Sequence, residues 1–196
     1  MAGSVRARAL AQRRLGAGAS RTLAASPSLE VALAALADSP YGHEVRPRLS
    51  LAEAQRAVAA TLLWHLRVLA GWLPRQGPAM LRLLAGWFEI ADVDELLHRL
   101  AGKTAEPPFH LGALATAWPR LATAGSAVEL RERLAASPWG DPGGATARAV
   151  RLGMRLSWMT QVASELEPAA PWAAGAAALL LARERFVAGQ DLPAAV

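Results

Sequence analysis

The sequence contains no cysteine, which excludes disulfides, thiolate nucleophiles and cysteine-ligated metals. A chain without disulfides gives no indication of secretion. Long apolar runs are missing as well, since the longest uncharged stretch, 168–182, has fifteen residues and includes two prolines. A membrane helix needs about 20 apolar residues. We therefore expect a cytoplasmic protein in which 168–182 forms a buried helix.

Lysine is almost absent, because Lys103 stands alone against twenty arginines, and the net charge is +5. An excess of arginine over lysine is typical of a GC-rich coding sequence. A net positive charge is also typical of proteins that bind nucleic acid or lipid headgroups. The arginines are spread along the chain and form no single basic block, which favours the first interpretation.

Motifs of known chemistry are missing or incomplete. There is no Gly-x-Ser-x-Gly, and the four histidines share no ligand spacing. Gly102-Lys103-Thr104 is similar to the end of a phosphate loop, but Leu97 stands where that loop needs a glycine. Glu95 and His98 have the Glu-x-x-His spacing of di-iron bundles, which require two such motifs, whereas the chain has one.

An acidic cluster of Asp92, Asp94 and Glu95 allows two interpretations. Neighbouring carboxylates could bind a divalent cation. Acids at the start of a helix are also stabilised by the positive end of the helix dipole, and Asp92 followed by Glu95 has the spacing of a capping box. We interpret the cluster as a helix start. The sequence thus predicts a protein that is not an enzyme, with no catalytic residue, metal, cofactor or small-molecule substrate.

Helical patterns dominate the rest of the chain, in which alanine and leucine prevail and strand-forming runs are scarce, so the predicted fold class is all-α. We predict two pseudo-repeated units of about four to five helices each, over 1–105 and 110–196, separated by a loop through Pro107 and Pro108. The predicted helices cover 4–15, a segment from 28, 51–73, a segment from 78 and 92–100, then 111–119, a segment from 126, 145–166 and a segment from 171.

Local signals fix several of these helix ends. Gly16 and Gly18 are expected to end the first helix. Capping boxes are expected at two helix starts, formed by Ser50 with Glu53 and by Ser126 with Glu129. The helix over 51–73 has an apolar face marked by Val58, Leu62, Leu66, Leu69 and Leu73.

An internal repeat with an offset of 98 residues supports this division. The segment SLEVALAALADSPYG at 28–42 returns as SAVELRERLAASPWG at 126–140. Both copies end in Ser-Pro-aromatic-Gly, with Trp139 in the place of Tyr41. The helix predicted over 145–166 corresponds to the one over 51–73, since both begin near Arg-Ala-Val and end at a proline. Such repeats indicate related structural units.

Three further stretches carry a family resemblance: VRARAL at 5–10, LAALADSPY at 33–41 and WFEIADV at 87–93. Together they resemble a family of central-stalk adaptors from the V/A-type rotary ATPases, designated C in the archaeal and bacterial enzymes and d in the vacuolar enzyme. Ala101-Gly102-Lys103 is similar to the Arg-Gly-Lys that ends a helix in that family. The family has threonine at the position of Ser39, and it has three repeats where this chain has room for two.

The resemblance implies an all-α, non-catalytic subunit that binds no nucleotide. Such a subunit is peripheral to the membrane and couples the central shaft of the ATPase to its membrane rotor ring. The contact residues that we predict are Arg6, Arg8, Arg13 and Arg14 of the basic first helix, with the paired turn residues Tyr41 and Trp139. The alternative is a basic helical module that binds nucleic acid or another protein.

Overall fold

The computed structural model describes residues 2–74 and 77–190, which form helices and connecting loops. No strand occurs in these ranges, so the predicted all-α fold is confirmed. Among the same residues, no helix is both long and apolar enough to cross a membrane. The last six residues of the predicted second repeat lie outside the described residues. The helices are α1 (Ala2–Gln12), α2 (Gly16–Ala24), α3 (Leu29–Ala37), α4 (Leu51–Ala70), α5 (Gly77–Leu100), α6 (Trp118–Leu121), α7 (Ala127–Ala135), α8 (Ala147–Glu165) and α9 (Ala170–Ala182).

The chain forms two compact units, Met1–Pro78 (unit 1) and Ala79–Val196 (unit 2). The predicted boundary at 105–110 therefore lies inside unit 2. The physical reason is that side chains of α5 bind the loop that follows it, as described below, so this helix packs with the second half of the chain. The ranges 1–105 and 110–196 stay a prediction about ancestry.

Helix α4 organises unit 1 and begins at a capping box, as predicted. Ser50 Oγ accepts the N–H of Glu53 at 3.3 Å, and the Glu53 carboxylate accepts the N–H of Ser50 at 2.8 Å. These bonds satisfy two amides that have no partner within the helix, and they lower the pKa of Glu53. Helix α3 lies beside the start of α4 through a small core of Leu33, Val45 and Ala54.

The segment after α1 is helical, although the pattern of Gly16 and Gly18 predicts only a helix end there. Helix α1 already ends at Gln12, and Gly16 begins the next helix with a φ of +70°, a conformation that residues with a side chain avoid. The chain then forms α2, in which no residue is buried. A helix is recognised in a sequence by the apolar stripe that it buries. Helix α2 buries no residue, so this signal could not identify it.

The helices predicted from 78 and over 92–100 are one continuous helix, α5. The prediction of a helix start at Asp92 was wrong because Asp92 resembles a capping residue in sequence. In the structure it lies inside the helix, is 1% exposed, and accepts the N–H of Phe109 at 2.8 Å. A cap binds an amide of its own helix, whereas this carboxylate binds the loop beyond the helix.

Three carboxylates at intervals of three residues, Glu89, Asp92 and Glu95, lie on one face of α5, and we name them the carboxylate ladder. Residues three positions apart are neighbours on a helix surface. Each accepts backbone N–H groups from the loop after α5, and bonds to a charged acceptor are among the stronger ones. Thr116 and Ala117 donate to Glu89, Phe109 donates to Asp92, and Glu106 donates to Glu95, at distances of 2.7 to 2.9 Å.

Glu89 accepts the most hydrogen bonds of the three carboxylates and has no exposed surface. Its Oε1 accepts the Ala117 N–H at 2.8 Å and the Trp139 indole N–H at 2.7 Å, while Oε2 accepts the Thr116 N–H at 2.7 Å. A carboxylate without such donors is very costly to bury. Glu89 therefore connects α5, the loop before α6 and the turn after α7.

Helix α8 packs most extensively on α9. The expectation of a buried helix over 168–182 was wrong, because α9 contacts α8 along one side and Ala173 is its one fully buried residue. The α8 side chains Val150, Met154 and Trp158 belong to a continuous apolar core with α5, α6 and α7. The Trp158 ring also contacts the rings of Trp87 and Trp172, at centroid distances of 5.4 and 5.9 Å. We name these three rings the tryptophan cluster. They connect α5, α8 and α9 within unit 2.

Other predictions for the second half are confirmed in part. Helix α7 begins after Ser126, whose hydroxyl accepts the Glu129 N–H at 3.1 Å. The Glu129 carboxylate accepts the N–H of Gly125 at 2.8 Å instead of that of Ser126, so the predicted capping box is displaced by one residue. The helix predicted over 111–119 is a short 3₁₀ turn followed by α6, because Glu89 holds the backbone of 116–117 in a loop.

The repeated turns after α3 and α7 contain the same hydrogen bonds. The Ser39 hydroxyl donates to the Leu36 carbonyl at 2.6 Å and accepts the Tyr41 N–H at 3.1 Å. In the second copy, the bonds of Ser137 to Leu134 and Trp139 measure 2.7 and 3.2 Å. Each serine thus satisfies a carbonyl at the helix end and fixes the turn that follows.

The helices after these turns, α4 and α8, correspond at an offset of 96 residues, because the N-cap serine of one aligns with the N-cap threonine of the other. At this offset His65 aligns with Gln161. His65 Nε2 lies 3.0 Å from the Pro40 carbonyl, and Gln161 Nε2 donates to the Pro138 carbonyl at 3.0 Å. The local correspondence thus includes a contact between turn and long helix, while duplication of complete units stays a prediction.

Removing the Glu89 carboxylate is expected to destabilise unit 2 strongly. Glu89→Ala leaves three donors without an acceptor, and a buried unsatisfied donor costs about 1–3 kcal/mol, so we expect a loss of about 3 kcal/mol or more. Glu95→Ala is the matched control, because Glu95 is partly exposed and accepts one loop amide; its cost should be about 1 kcal/mol. Urea unfolding followed by circular dichroism measures both. Equal effects of the two variants would contradict the ladder's role.

Acid should weaken the ion pair of Arg131 and Asp141. The guanidinium donates two bonds of 2.8 and 2.9 Å to the carboxylate and lowers the pKa of Asp141 to about 2. Since this pKa lies below the ordinary value of 3.8, the contribution is present above about pH 4 and is lost as the pH falls toward about 2.

Substituting Arg131 tests this assignment. In Arg131→Ala, we expect the pKa of Asp141 to rise toward its ordinary value, although the bond from the Gly143 N–H remains. Carboxyl NMR titration measures the change. Arg133→Ala is the control, because Arg133 pairs with Glu129; an equal rise there would point to a general charge effect.

Candidate functional site

An apolar groove lies in unit 1 between α1, α4 and the turn after α3, with a volume of about 560 Å³. We name it the unit 1 groove. Its floor is formed by α4, which contributes Val58, Leu62, His65, Leu66 and Leu69. Exposed apolar surfaces bordered by polar residues mark interaction sites more often than isolated apolar side chains do.

The apolar face of α4 is only partly covered by the rest of the chain. The sequence predicts this face from the spacing of Val58, Leu62, Leu66 and Leu69. In the structure Leu62 keeps 54% of its surface exposed, although it lies at the middle of a 20-residue helix. An apolar face of this kind is normally buried against another element. Within the part of unit 1 that the structure describes, the unit 1 groove is therefore a face of α4 whose centre is uncovered.

The turn after α3 forms one end of the unit 1 groove through Pro40 and Tyr41. His65 Nε2 lies 3.0 Å from the Pro40 carbonyl and holds this turn against α4. Beside it, the ring of Trp64 stacks on His43 with centroids 3.9 Å apart. These contacts give the groove a defined wall and hold Tyr41 at its edge.

Helix α1 and the residues that follow it form the opposite edge of the groove. The helix ends at Gln12, three residues before the predicted end, so Arg13 and Arg14 carry the positive charge of the groove from the turn after α1. Arg13 and Arg14 line the groove together with Leu10, and Arg14 Nε donates to the Ala11 carbonyl at 3.0 Å. Helix α1 lies close to the segment after α4 at Gly3, where a Cβ atom would come within 2.6 Å of Leu73 Cδ2 and 3.1 Å of the Trp72 carbonyl oxygen. A glycine thus permits the close approach of α1 to the end of α4.

The structure brings together three of the six predicted contact residues. Arg13, Arg14 and Tyr41 line the unit 1 groove. Arg6 lies elsewhere on α1, with its guanidinium carbon 5.9 Å from the ring centre of Trp72, a cation–π contact. Arg8 is exposed on the same helix.

Trp139 is not placed on a contact surface, contrary to the sequence interpretation. It is 5% exposed, and its indole N–H donates to Glu89 in the core of unit 2. The turn hydrogen bonds of Trp139 match those of Tyr41, but the two residues differ in what covers them. The turn residue is a groove wall in unit 1 and a core residue in unit 2.

The acidic cluster of α5 serves structural contacts. Asp92 and Glu95 belong to the carboxylate ladder, and Asp94 pairs with Arg151, which also contacts His98 Nε2 at 3.0 Å. Within residues 2–74 and 77–190, no three or more histidine, aspartate or glutamate side chains converge as a metal site would require. The Glu95–His98 spacing places the Glu95 carboxylate 3.6 Å from His98 Nδ1.

A larger cavity of about 860 Å³ lies in unit 2, beside the loop before α6. Its lining includes Arg133, whose guanidinium already binds the Glu129 carboxylate at 2.5 Å and the carbonyl of Arg120. Of the two arginines that line this cavity, Arg120 and Arg133, the second is thus engaged within the chain. The unit 1 groove is the better candidate for a partner, because its apolar floor is open.

Comparison of the chain with family models, curated proteins and solved structures gives no match. The interpretation of the groove therefore depends on this chain's own residues. Sequence reasoning missed the groove because periodicity identifies an apolar face but does not reveal whether another element covers it. One signal was available in the sequence. The position of Leu62 on α4 is occupied by the larger Trp158 on α8, which indicates that the two helix faces have different surroundings.

Shortening Leu62 should leave the stability of the protein nearly unchanged. A side chain with half its surface in water contributes little to folding, so Leu62→Ala should change the free energy of unfolding by less than about 0.5 kcal/mol. Leu33→Ala is the matched control in the same unit, because Leu33 is 3% exposed; it should cost about 2 kcal/mol or more. Urea unfolding measures both, and a large cost at Leu62 would mean that the groove is closed in solution.

Proposed function

We propose that this chain is a non-catalytic docking subunit of a V/A-type proton-translocating ATPase, peripheral to the membrane and placed between the soluble shaft and the membrane rotor ring. The observation that supports the proposal is where the family-like motifs meet. Ala7 and Leu10, from the stretch 5–10, line the unit 1 groove beside Pro40 and Tyr41, from the stretch 33–41.

The third motif supports the proposal in a different way. The stretch 87–93 contains Glu89 and Asp92, which hold the loop between α5 and α6. One motif thus stabilises the interior of the protein, and the other two form an exposed groove. A rigid docking subunit requires both features. Interfaces built on fixed helices lose little conformational entropy when a partner binds.

We further propose that the two helix–turn–helix segments are products of one duplication. The matching serine bonds in the two turns, and the matching contacts of His65 and Gln161, support common ancestry. Duplicated helical units can be stacked so that each contributes part of an extended binding surface. A coupling subunit needs such a surface to contact two partners.

The nucleic-acid alternative has one supporting observation, the pair of Arg6 and Trp72. Trp72 is 56% exposed, and an exposed indole beside an arginine is the kind of platform on which a base stacks. Binding of this kind weakens steeply with salt. An electrophoretic shift with single-stranded DNA at low salt that disappears at higher salt would favour the alternative over the docking proposal.

The proposal predicts stable association with ATPase subunits. The full chain, carrying an affinity tag and expressed in its own cells, should be recovered from detergent-solubilised membranes together with shaft and ring subunits identified by mass spectrometry. An untagged strain controls for non-specific recovery. Isolation of the tagged chain without any rotary ATPase subunit, from membranes that contain the enzyme, would overturn the assignment.

A further inference from the structure

We propose that the unit 1 groove binds an amphipathic helix of a partner protein, similar in chemistry to α5 of this chain: apolar, small at the point of closest approach, and acidic toward Arg13 and Arg14. This inference rests on the proposed docking function and adds the nature of the partner segment. Its basis is the second copy of the repeat, in which the corresponding face is occupied.

The alignment of the two copies identifies corresponding positions on the two faces. The turn residues Tyr41 and Trp139 align at an offset of 98 residues. On the following helices, at an offset of 96 residues, Leu62 aligns with Trp158. Tyr41 and Leu62 both line the unit 1 groove. The groove therefore occupies the position that the two indoles occupy in unit 2.

In unit 2, α5 covers this position. Gly86 lies against both indoles, since a Cβ atom there would be 3.0 Å from Trp158 and 3.1 Å from Trp139. The two indole N–H groups donate to α5, one to the Leu83 carbonyl at 2.8 Å and the other to Glu89 at 2.7 Å. The covering helix thus offers a small residue at the point of contact and acceptors on either side of it.

In unit 1, the corresponding face is left open. Leu62 is 54% exposed, whereas Trp158 is 6% exposed. Helix α1 precedes α2 as α5 precedes α6, but most of its described side chains are exposed. It forms an edge of the groove without covering the floor. A helix laid into an apolar groove is a common mode of recognition between proteins.

The charge of the groove specifies the polar side of the partner helix. Arg13 and Arg14 stand at its edge, and the first acidic residue of the chain is Glu30. A partner with carboxylates facing α1 would bring opposite charges together, as complementary interfaces do. A basic partner helix would be repelled. The expected partner segment is thus both apolar and acidic.

The chain itself supplies a suitable probe. A fluorescein-labelled peptide of residues 79–100 carries the apolar face of α5, Gly86 and four acidic side chains. Fluorescence anisotropy with the full-length protein should show saturable binding that weakens with added salt. A second peptide, with Glu89, Asp92, Asp94 and Glu95 all changed to lysine, should bind at least about tenfold more weakly, a difference of about 1.4 kcal/mol.

Two protein variants locate the binding. Leu62→Glu places a charge on the groove floor and should weaken binding of the acidic peptide at least tenfold. Val128→Glu is the matched control, because Val128 is 60% exposed on α7 in unit 2, and it should leave binding unchanged. The double variant Arg13→Glu/Arg14→Glu should reverse the preference, binding the lysine peptide more tightly than the acidic one.

Several outcomes would overturn the inference. Absence of saturable binding, equal binding of the two peptides, or equal effects of Leu62→Glu and Val128→Glu would each do so. A dimer in sedimentation velocity that Leu62→Glu dissociates would assign the groove to a second copy. Displacement of the peptide by phosphatidylglycerol vesicles, but not by phosphatidylcholine vesicles, would assign it to lipid.

The test is independent of the test of the ATPase assignment. If the peptide fails to bind while ATPase subunits still co-purify with the chain, the groove inference is wrong and the docking function stands. If the peptide binds at the groove but no ATPase subunit co-purifies, the partner class is wrong and the helix-binding groove stands.

Discussion

The structure depends above all on the bonds between buried carboxylates of α5 and the loop that follows this helix. Glu89 and Asp92 are almost completely enclosed, and a carboxylate in such surroundings must have donors. Folding of unit 2 therefore has to bring the loop and the turn at Trp139 to α5. Helix α1, at the comparable place before α2, contains no acidic residue. Unit 1 has no equivalent of these bonds there, and the groove beside α1 is left open.

The features that the sequence could predict are local, and those that it could not predict depend on residues distant in the chain. The helix starts at Ser50 and Ser126 and the Ser-Pro turns were predicted correctly, except that Glu129 binds the amide of Gly125 in place of that of Ser126. A cap or turn acts within three or four residues, so all its participants are visible in one short window. Asp92 was misread because its partner, Phe109, is distant in sequence and contributes a backbone amide, which no sequence pattern reveals. The exposure of Leu62 was missed for a related reason, since burial depends on elements elsewhere in the chain.

The two copies of the helix–turn–helix segment illustrate how one local structure serves two purposes. Their serine bonds are nearly identical in length, so the local folding signals are the same. What differs is the aromatic residue and its cover: Trp139 is enclosed by α5, while Tyr41 borders open space. The turn residue of one copy belongs to the core of unit 2, and that of the other lines an open groove.

The tryptophan cluster gives the protein an uneven optical signature. Five of its seven indoles belong to unit 2, and the rings of Trp87, Trp158 and Trp172 are close enough to exchange excitation energy. Unit 1 has only Trp64 and Trp72, of which the latter is largely in water. Emission from the folded chain therefore reports chiefly on the environment of unit 2. Melting confined to unit 1 would pass almost unseen in an intrinsic fluorescence trace.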